Sequence, residues 1–134
     1  MLVPGRMIDH TGLKISNPAA SRRFYETALA PLGYRVLMEI PTENTGGPVV
    51  LGYGVPPKPD FWVAQGTPEM PRVHVAFRAG SRGEVDAFYR AALGAGGRDN
   101  GPPGPRPHYH DGYYGAFVLD PDGHNVEAVF HGAG

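Results

Sequence analysis

One stretch of this chain matches another at an offset of 64 residues, and that match constrains the fold more than any local pattern. IDHTGLKISNPAASRRFYETALAPLGYRV laid over RVHVAFRAGSRGEVDAFYRAALGAGGRDN pairs His10 with His74 and Lys14 with Arg78. Phe24-Tyr25 falls on Phe88-Tyr89, Ala28-Leu29 on Ala92-Leu93, and Gly33 on Gly97, with no gap. The chain is therefore expected to build one unit twice. A length of 134 residues suits one domain made of two modules, 1–66 and 72–134, joined by GTPEMP.

Each copy reads as strand, helix, then three strands. Met7–Ile15 and Arg72–Arg78 alternate as strands do. Val73, Val75 and Phe77 point one way; His74, Ala76 and Arg78 point the other. In the first copy Leu13 and Ile15 oppose His10, Gly12 and Lys14. One face is apolar enough to pack on a helix, and the other carries a histidine with a small residue two places on. Asn17 with Pro18 starts one helix, and Ser81 with Glu84 forms a capping box for the other. Gly33 ends the first helix and Gly96-Gly97 the second. Phe24, Ala28 and Leu29, like Phe88, Ala92 and Leu93, share a helical stripe and read as core. Tyr34–Ile40, Val49–Tyr53 and Phe61–Gln65 complete the first unit. A short strand near Arg98, then Tyr114–Leu119 and Asn125–His131, complete the second. DPDGH between the last two is a tight hairpin turn, with His124 expected to face solvent.

Composition removes several function classes. Twelve basic residues against 13 acidic ones give no stripe for nucleic acid. No apolar run approaches the roughly 20 residues of a membrane helix. MLVPGRMIDH lacks the apolar core of a secretion signal. Without cysteine there is neither a disulfide nor a thiolate metal site. The expectation is a soluble, cytoplasmic, globular protein. The 20 glycines and 15 prolines fall between the periodic segments and read as turns.

Chemistry concentrates on the face away from the helices. His10 and His74 hold matching places, and Glu127 lies in the last strand between Val126 and Ala128. A carboxylate buried there needs a partner. A divalent metal held by His10, His74 and Glu127 would supply one and leave positions open for substrate. Taken singly, each of the three also reads as a solvated strand residue. The stretch RPHYHDGYYG adds His108, Tyr109, His110, Tyr113 and Tyr114. GPPGPRP before it is expected to be a stiff, largely extended linker that brings this stretch to the mouth of a cleft. Arg106 suits bidentate binding of a carboxylate or phosphate. His108 and His110 also form an unspecific H-x-H pair, and the stretch equally reads as an aromatic dimer contact. Trp62 walls the pocket or packs in the core.

The repeated βαβββ unit, the strand-one histidines and the ending DPDGHNVEAV resemble the vicinal oxygen chelate superfamily. Glyoxalase I, extradiol dioxygenases and bleomycin-resistance proteins belong to it. The resemblance implies an α+β fold of two βαβββ modules in tandem, with mixed sheets curling around a metal cleft. It implies one divalent metal ion, Fe(II), Mn(II), Ni(II), Co(II) or Zn(II), on His10, His74 and Glu127, and a homodimer. It also implies a dioxygenase-like or lyase/isomerase-like reaction on a small oxygen-chelating substrate; the alternative is a non-catalytic sequestering protein. The fourth ligand of glyoxalase I corresponds to Trp62 or a neighbour such as Asp60 in PDFWVAQ. Against the extradiol signature, His110 becomes an acid/base histidine, with Tyr113 or Tyr114 assisting, and the family tyrosine is Phe117. The substrate-binding candidates are Trp62, Arg106, His108 and Tyr109.

Overall fold

The computed structural model describes residues 7–40 and 49–132. The secretion-signal reading of the first six residues lies outside them. The described elements are β1 (Thr11–Ile15), α1 (Pro18–Leu29), a 3-10 turn (Ala30–Leu32), β2 (Arg35–Ile40), β3 (Val50–Gly54) and β4 (Phe61–Gln65). Then come β5 (His74–Arg78), α2 (Arg82–Gly94), β6 (Arg98–Asp99), β7 (Gly104–Pro105), β8 (Tyr113–Leu119) and β9 (Asn125–His131). They form an α+β fold with two open mixed sheets, β1-β4-β3-β2 and β5-β9-β8-β6, with β7 also paired to β8. The first strand of each sheet runs parallel to the last strand of its own half. No described helix is long and apolar enough to cross a membrane.

The helix starts follow their caps. Asn17 accepts the Ala20 N–H at 3.1 Å with Pro18 in the first turn. Ser81 accepts the Glu84 N–H at 3.1 Å, while Glu84 reaches one residue further back, to the Gly80 N–H at 2.8 Å. The matched glycines serve different ends. Gly33 sits at φ +86, a left-handed cap. In the second half Gly96 takes that conformation at φ +97. Gly97 instead makes room, since a Cβ there would lie 2.5 Å from Val118 and 2.6 Å from Phe24.

The two helices pack against each other, and the apolar faces of both sheets close over them. Phe24, Tyr25, Ala28 and Leu29 are wholly buried, as are Val85, Phe88 and Ala92. Leu93 is a correction to the expected stripe: at 37% exposure it lies on the rim, one residue past the buried face. Phe61 of β4 meets Tyr25 at 5.3 Å and Phe77 of β5 at 5.0 Å, so a run of aromatic contacts crosses between the halves.

The turn between β8 and β9 makes the polar part of that crossing. Asp120, 1% exposed, accepts the Tyr25 hydroxyl at 2.6 Å and the N–H groups of Asp122 and His124 at 2.8 and 2.9 Å. Asp122 accepts the Ser16 N–H at 3.0 Å and also the Ser16 hydroxyl. His124 corrects the solvent-facing expectation, because it is fully buried. Its Nδ1 accepts the Val73 N–H at 3.0 Å, and its Nε2 donates to the Lys14 carbonyl at 2.9 Å. A hairpin turn usually faces water; this one is covered because the first half packs over it.

Replacing His124 with Ala removes a buried ring and leaves the partly buried Val73 N–H and the Lys14 carbonyl without their partner. The expected loss is about 3 kcal/mol of stability. Urea unfolding of wild type and His124→Ala measures it, and a loss under about 0.5 kcal/mol, the size typical of surface changes, would show that the ring does not join the halves.

Candidate functional site

Strand alternation sets the site. Along β9, Val126 and Ala128 turn toward the helices, while Asn125, Glu127, Val129 and His131 turn the other way. The β8–β9 register pairs Tyr113 with His131, Gly115 with Val129 and Phe117 with Glu127. Those odd-numbered residues therefore share the face away from the helices. β5 adds His74, Ala76 and Arg78, with Ala76 beside Glu127.

Glu127 is the centre of this face. Its side chain is 2% exposed, yet it lies outside the apolar core. His74 Nε2 lies 2.8 Å from Oε1, and the Tyr113 hydroxyl donates to Oε2. Burial, then the bond to Glu127, pushes the Tyr113 phenol well above its ordinary range, so it holds its proton. Phe117 stands beside His74, with ring centroids 6.2 Å apart.

The spacing of His74 and Glu127 suits a metal. Two ligand atoms, each about 2.1 Å from an ion and at right angles, stand roughly 3 Å apart, close to what these donors show. The third expected ligand is elsewhere. His10 precedes β1, and its side chain is 60% exposed. Its Nδ1 faces Asp9 Oδ2 at 2.8 Å, and Lys58 reaches Asp9 Oδ1 at 3.0 Å. His10 and Lys58 together hold the Asp9 carboxyl below its usual range. His10 and His74 border one groove of about 750 Å³, floored by Phe61 and Phe77, without converging. Among the described residues, no three His, Asp or Glu side chains of one chain converge on a metal position. One chain in this conformation thus brings His74 to Glu127 and leaves His10 apart from them.

The other candidates spread over three places. Trp62 pairs with Gly12 in β1, and Gly12 matches Ala76 in the repeat. Trp62 therefore holds the position that Glu127 holds in the second half. Its ring lies flat over Gly52, where a Cβ would be 2.7 Å away. Asp60 accepts the Tyr34 hydroxyl at 3.0 Å. Tyr114 lies on the helix side, bonded to Asp86 at 2.8 Å under Arg82. It is thereby separated from Tyr113, its neighbour in the chain. His110 Nδ1 meets the Asp111 carbonyl at 2.8 Å and its Nε2 meets His131 Nδ1 at 3.0 Å, so it does not face Glu127. His108 and Tyr109 are exposed beside Tyr113. The expected stiff linker holds a short strand, β7, and Arg106 folds back onto it. Sequence reasoning missed the Tyr113–Glu127 bond, although a five-residue DPDGH connection between Leu119 and Asn125 implies a register that puts both on one face.

One face thus gathers a buried carboxylate, an imidazole and a phenol beside an open groove. The profile of the Glyoxalase/Bleomycin resistance protein/Dioxygenase superfamily matches residues 7–128, and the chain belongs to that superfamily. No curated protein matches it. A glyoxalase/bleomycin resistance protein from Albidiferax ferrireducens T118 superposes with a TM-score of 0.70 at 24% identity, covering 95% of this chain and 100% of that one. A glyoxylase/bleomycin resistance protein/dioxygenase domain from Frankia sp. EAN1pec gives 0.69 at 16% identity, covering 98% and 100%. Glyoxalase I from Zea mays gives 0.67 at 21% identity; this chain is covered to 92% and spans 45% of the maize chain.

The pairing of Tyr113 with Glu127 has a spectroscopic consequence. A free phenol is half ionised near pH 10. Tyr113 is expected to stay protonated through that pH and to titrate lower in Glu127→Gln, where burial remains but the negative charge is gone. Tyrosine ring-carbon NMR across pH 8–12, with Tyr113→Phe for assignment, reads this; an unchanged Tyr113 titration in Glu127→Gln would show that the two groups are not coupled.

Proposed function

We propose that this chain is a divalent-metal-dependent enzyme, working as a soluble cytoplasmic homodimer on a small substrate that offers two neighbouring oxygens. In this reading His74 and Glu127 of one copy and His10 of a second copy hold the metal. The observation that carries it is the buried Glu127 facing His74 at 2.8 Å on a face away from the core. His10 supports it, because Asp9 occupies Nδ1 and leaves Nε2 free to ligate. Fe(II), Mn(II), Ni(II), Co(II) and Zn(II) all suit two imidazoles and a carboxylate.

When bound, the metal supplies Lewis-acid stabilisation for charge developing on the substrate oxygens. Tyr113 fixes the second oxygen of Glu127 and so sets the plane of the carboxylate. The raised affinity of Tyr113 for its proton keeps it a hydrogen-bond donor. Phe117 lines the face without offering a hydrogen bond, and His110 is engaged with His131 and Asp111. Both observations favour an isomerase-like or lyase-like proton transfer over ring cleavage. A second reading, a sequestering protein without catalysis, draws on the Trp62 ring laid over Gly52.

Elemental analysis of tag-free protein purified under low oxygen tests the metal. Near one divalent ion per chain is expected in wild type, with loss in His74→Ala and in His10→Ala. No uptake by wild type after incubation with Fe(II), Mn(II), Ni(II), Co(II) and Zn(II) sinks the enzyme reading and favours the sequestering one. Mixing unfolded His10→Ala and His74→Ala chains and refolding them together tests the second copy. If each site takes His10 from one chain and His74 from the other, half of the dimers regain one intact site of two, so about a quarter of wild-type metal returns. No recovery in the mixture would place all three ligands in one chain.

A further inference from the structure

Arg106 is held in an unusual way for a charged side chain. Its Nη1 donates to the Gly104 carbonyl at 2.9 Å and to Pro105 at 3.4 Å, and its Nη2 donates to Pro102 at 2.7 Å. The guanidinium lies over the Phe117 ring, 5.5 Å from its centroid. The loop GPPGPR is shaped around it. A Cβ at Gly101 would stand 3.0 Å from Phe117 and 3.4 Å from Nη2, and one at Gly104 would stand 3.2 Å from Nη1. Three carbonyls and a ring face orient this cation, yet no carboxylate pairs with it among the described residues. Its Nε–H and one Nη2 hydrogen have no acceptor there either. Arg78, on the same face of the sheet, also lacks a carboxylate partner among the described residues.

A half-buried cation neutralised only by dipoles leaves a positive field. Phe117, under the guanidinium, is the cross-strand neighbour of Glu127. The cation therefore stands about one to two strand spacings, roughly 5–10 Å, from the His74–Glu127 pair.

Resting on the metal reading above, we propose that the substrate carries a carboxylate-like oxyanion a few bonds from its chelating oxygens, and that Arg106 reads it. The chelating oxygens go to the His74–Glu127 end and the anion to the two free guanidinium hydrogens. The class is thus a small anionic chelator, not a neutral diol or ketone.

The test uses two probes that differ in one group, 3,4-dihydroxybenzoate and its neutral amide 3,4-dihydroxybenzamide. Both offer the same vicinal oxygens. On zinc-loaded wild type the acid is expected to bind at least about tenfold more tightly, as one charge-assisted pair provides. In Arg106→Gln the two should bind alike, at the wild-type affinity for the amide, which also checks that the loop and site remain folded. The Nε–H resonance of Arg106 should shift with the acid and not with the amide. Equal binding of the two by wild type, or an acid preference that survives in Arg106→Gln, overturns the proposal. If the protein takes up no zinc, the metal reading fails by itself. The Nε–H titration with millimolar acid in metal-free protein then decides the anion reading, and an unmoved resonance ends it.

Discussion

A single imidazole ties this molecule together. His124 sits between the Val73 N–H and the Lys14 carbonyl, so it bonds at once to the approach of β5 and to β1. The ring is buried and both contacts are partly so, where a polar group without a partner is costly. Asp120 secures the same turn to α1 through Tyr25, and Asp122 secures it to Ser16. The turn therefore fixes how far β1 stands from β5. It also fixes the two histidines, since His74 follows Val73 directly and His10 lies four residues before Lys14. A polar joint has a further consequence. Apolar contacts such as Phe61 on Phe77 tolerate sliding, whereas two hydrogen bonds on opposite sides of one ring do not.

The halves share a framework and divide the chemistry. At matching positions the first sheet carries the row Gly12, Trp62, Gly52, and the second carries Ala76, Glu127, Phe117. In the first row a large central ring needs glycine on both sides, and the Cβ distance at Gly52 shows why. In the second row the central residue is smaller and its neighbours are larger. Phe117 and Tyr113 then close over the carboxylate from β8. Bulk has moved between strands within the row, so a flat apolar platform in one half becomes a shielded acid in the other. Where the second sheet places the Glu127 carboxylate, the first places an indole.

Much of this was legible because it is written locally or by periodicity. The repeat set the order of elements, and Asn17 and Ser81 marked helix starts through side-chain bonds to their own backbone. Strand parity put His74 and Glu127 on one face. What was not legible shares a physical cause. His124 looks like any hairpin histidine until the first half packs over it, and that packing is a tertiary event. Tyr113 and Tyr114 are equivalent in composition, and only the register of β8 on β9 separates them. His110 fitted a motif by spacing, but its ring orientation follows from His131, 21 residues away in sequence. Arg106 was legible as a fork for an anion, but nothing in GPPGPR announces that its carbonyls turn inward to hold it.

The joint and the division of labour together explain which edge is left open. β1 and β5 both stand at the end of their sheets. The edge of β1 is blunted: the Lys14 N–H meets Glu69 at 2.9 Å, its carbonyl meets His124, and the Ser16 N–H meets Asp122. β5 turns the backbone of Val73 and Ala79 toward β9, and by alternation turns that of His74, Ala76 and Arg78 outward. Those outward groups have no backbone partner among the described residues. An unpaired edge is a template for another strand. Here it borders the groove that holds His10 and the exposed Met7 and Ile8. A second copy docking along β5 would cover this edge and bring new side chains beside His74. The same turn that shields β1 thus leaves the strand that carries His74 as the open edge.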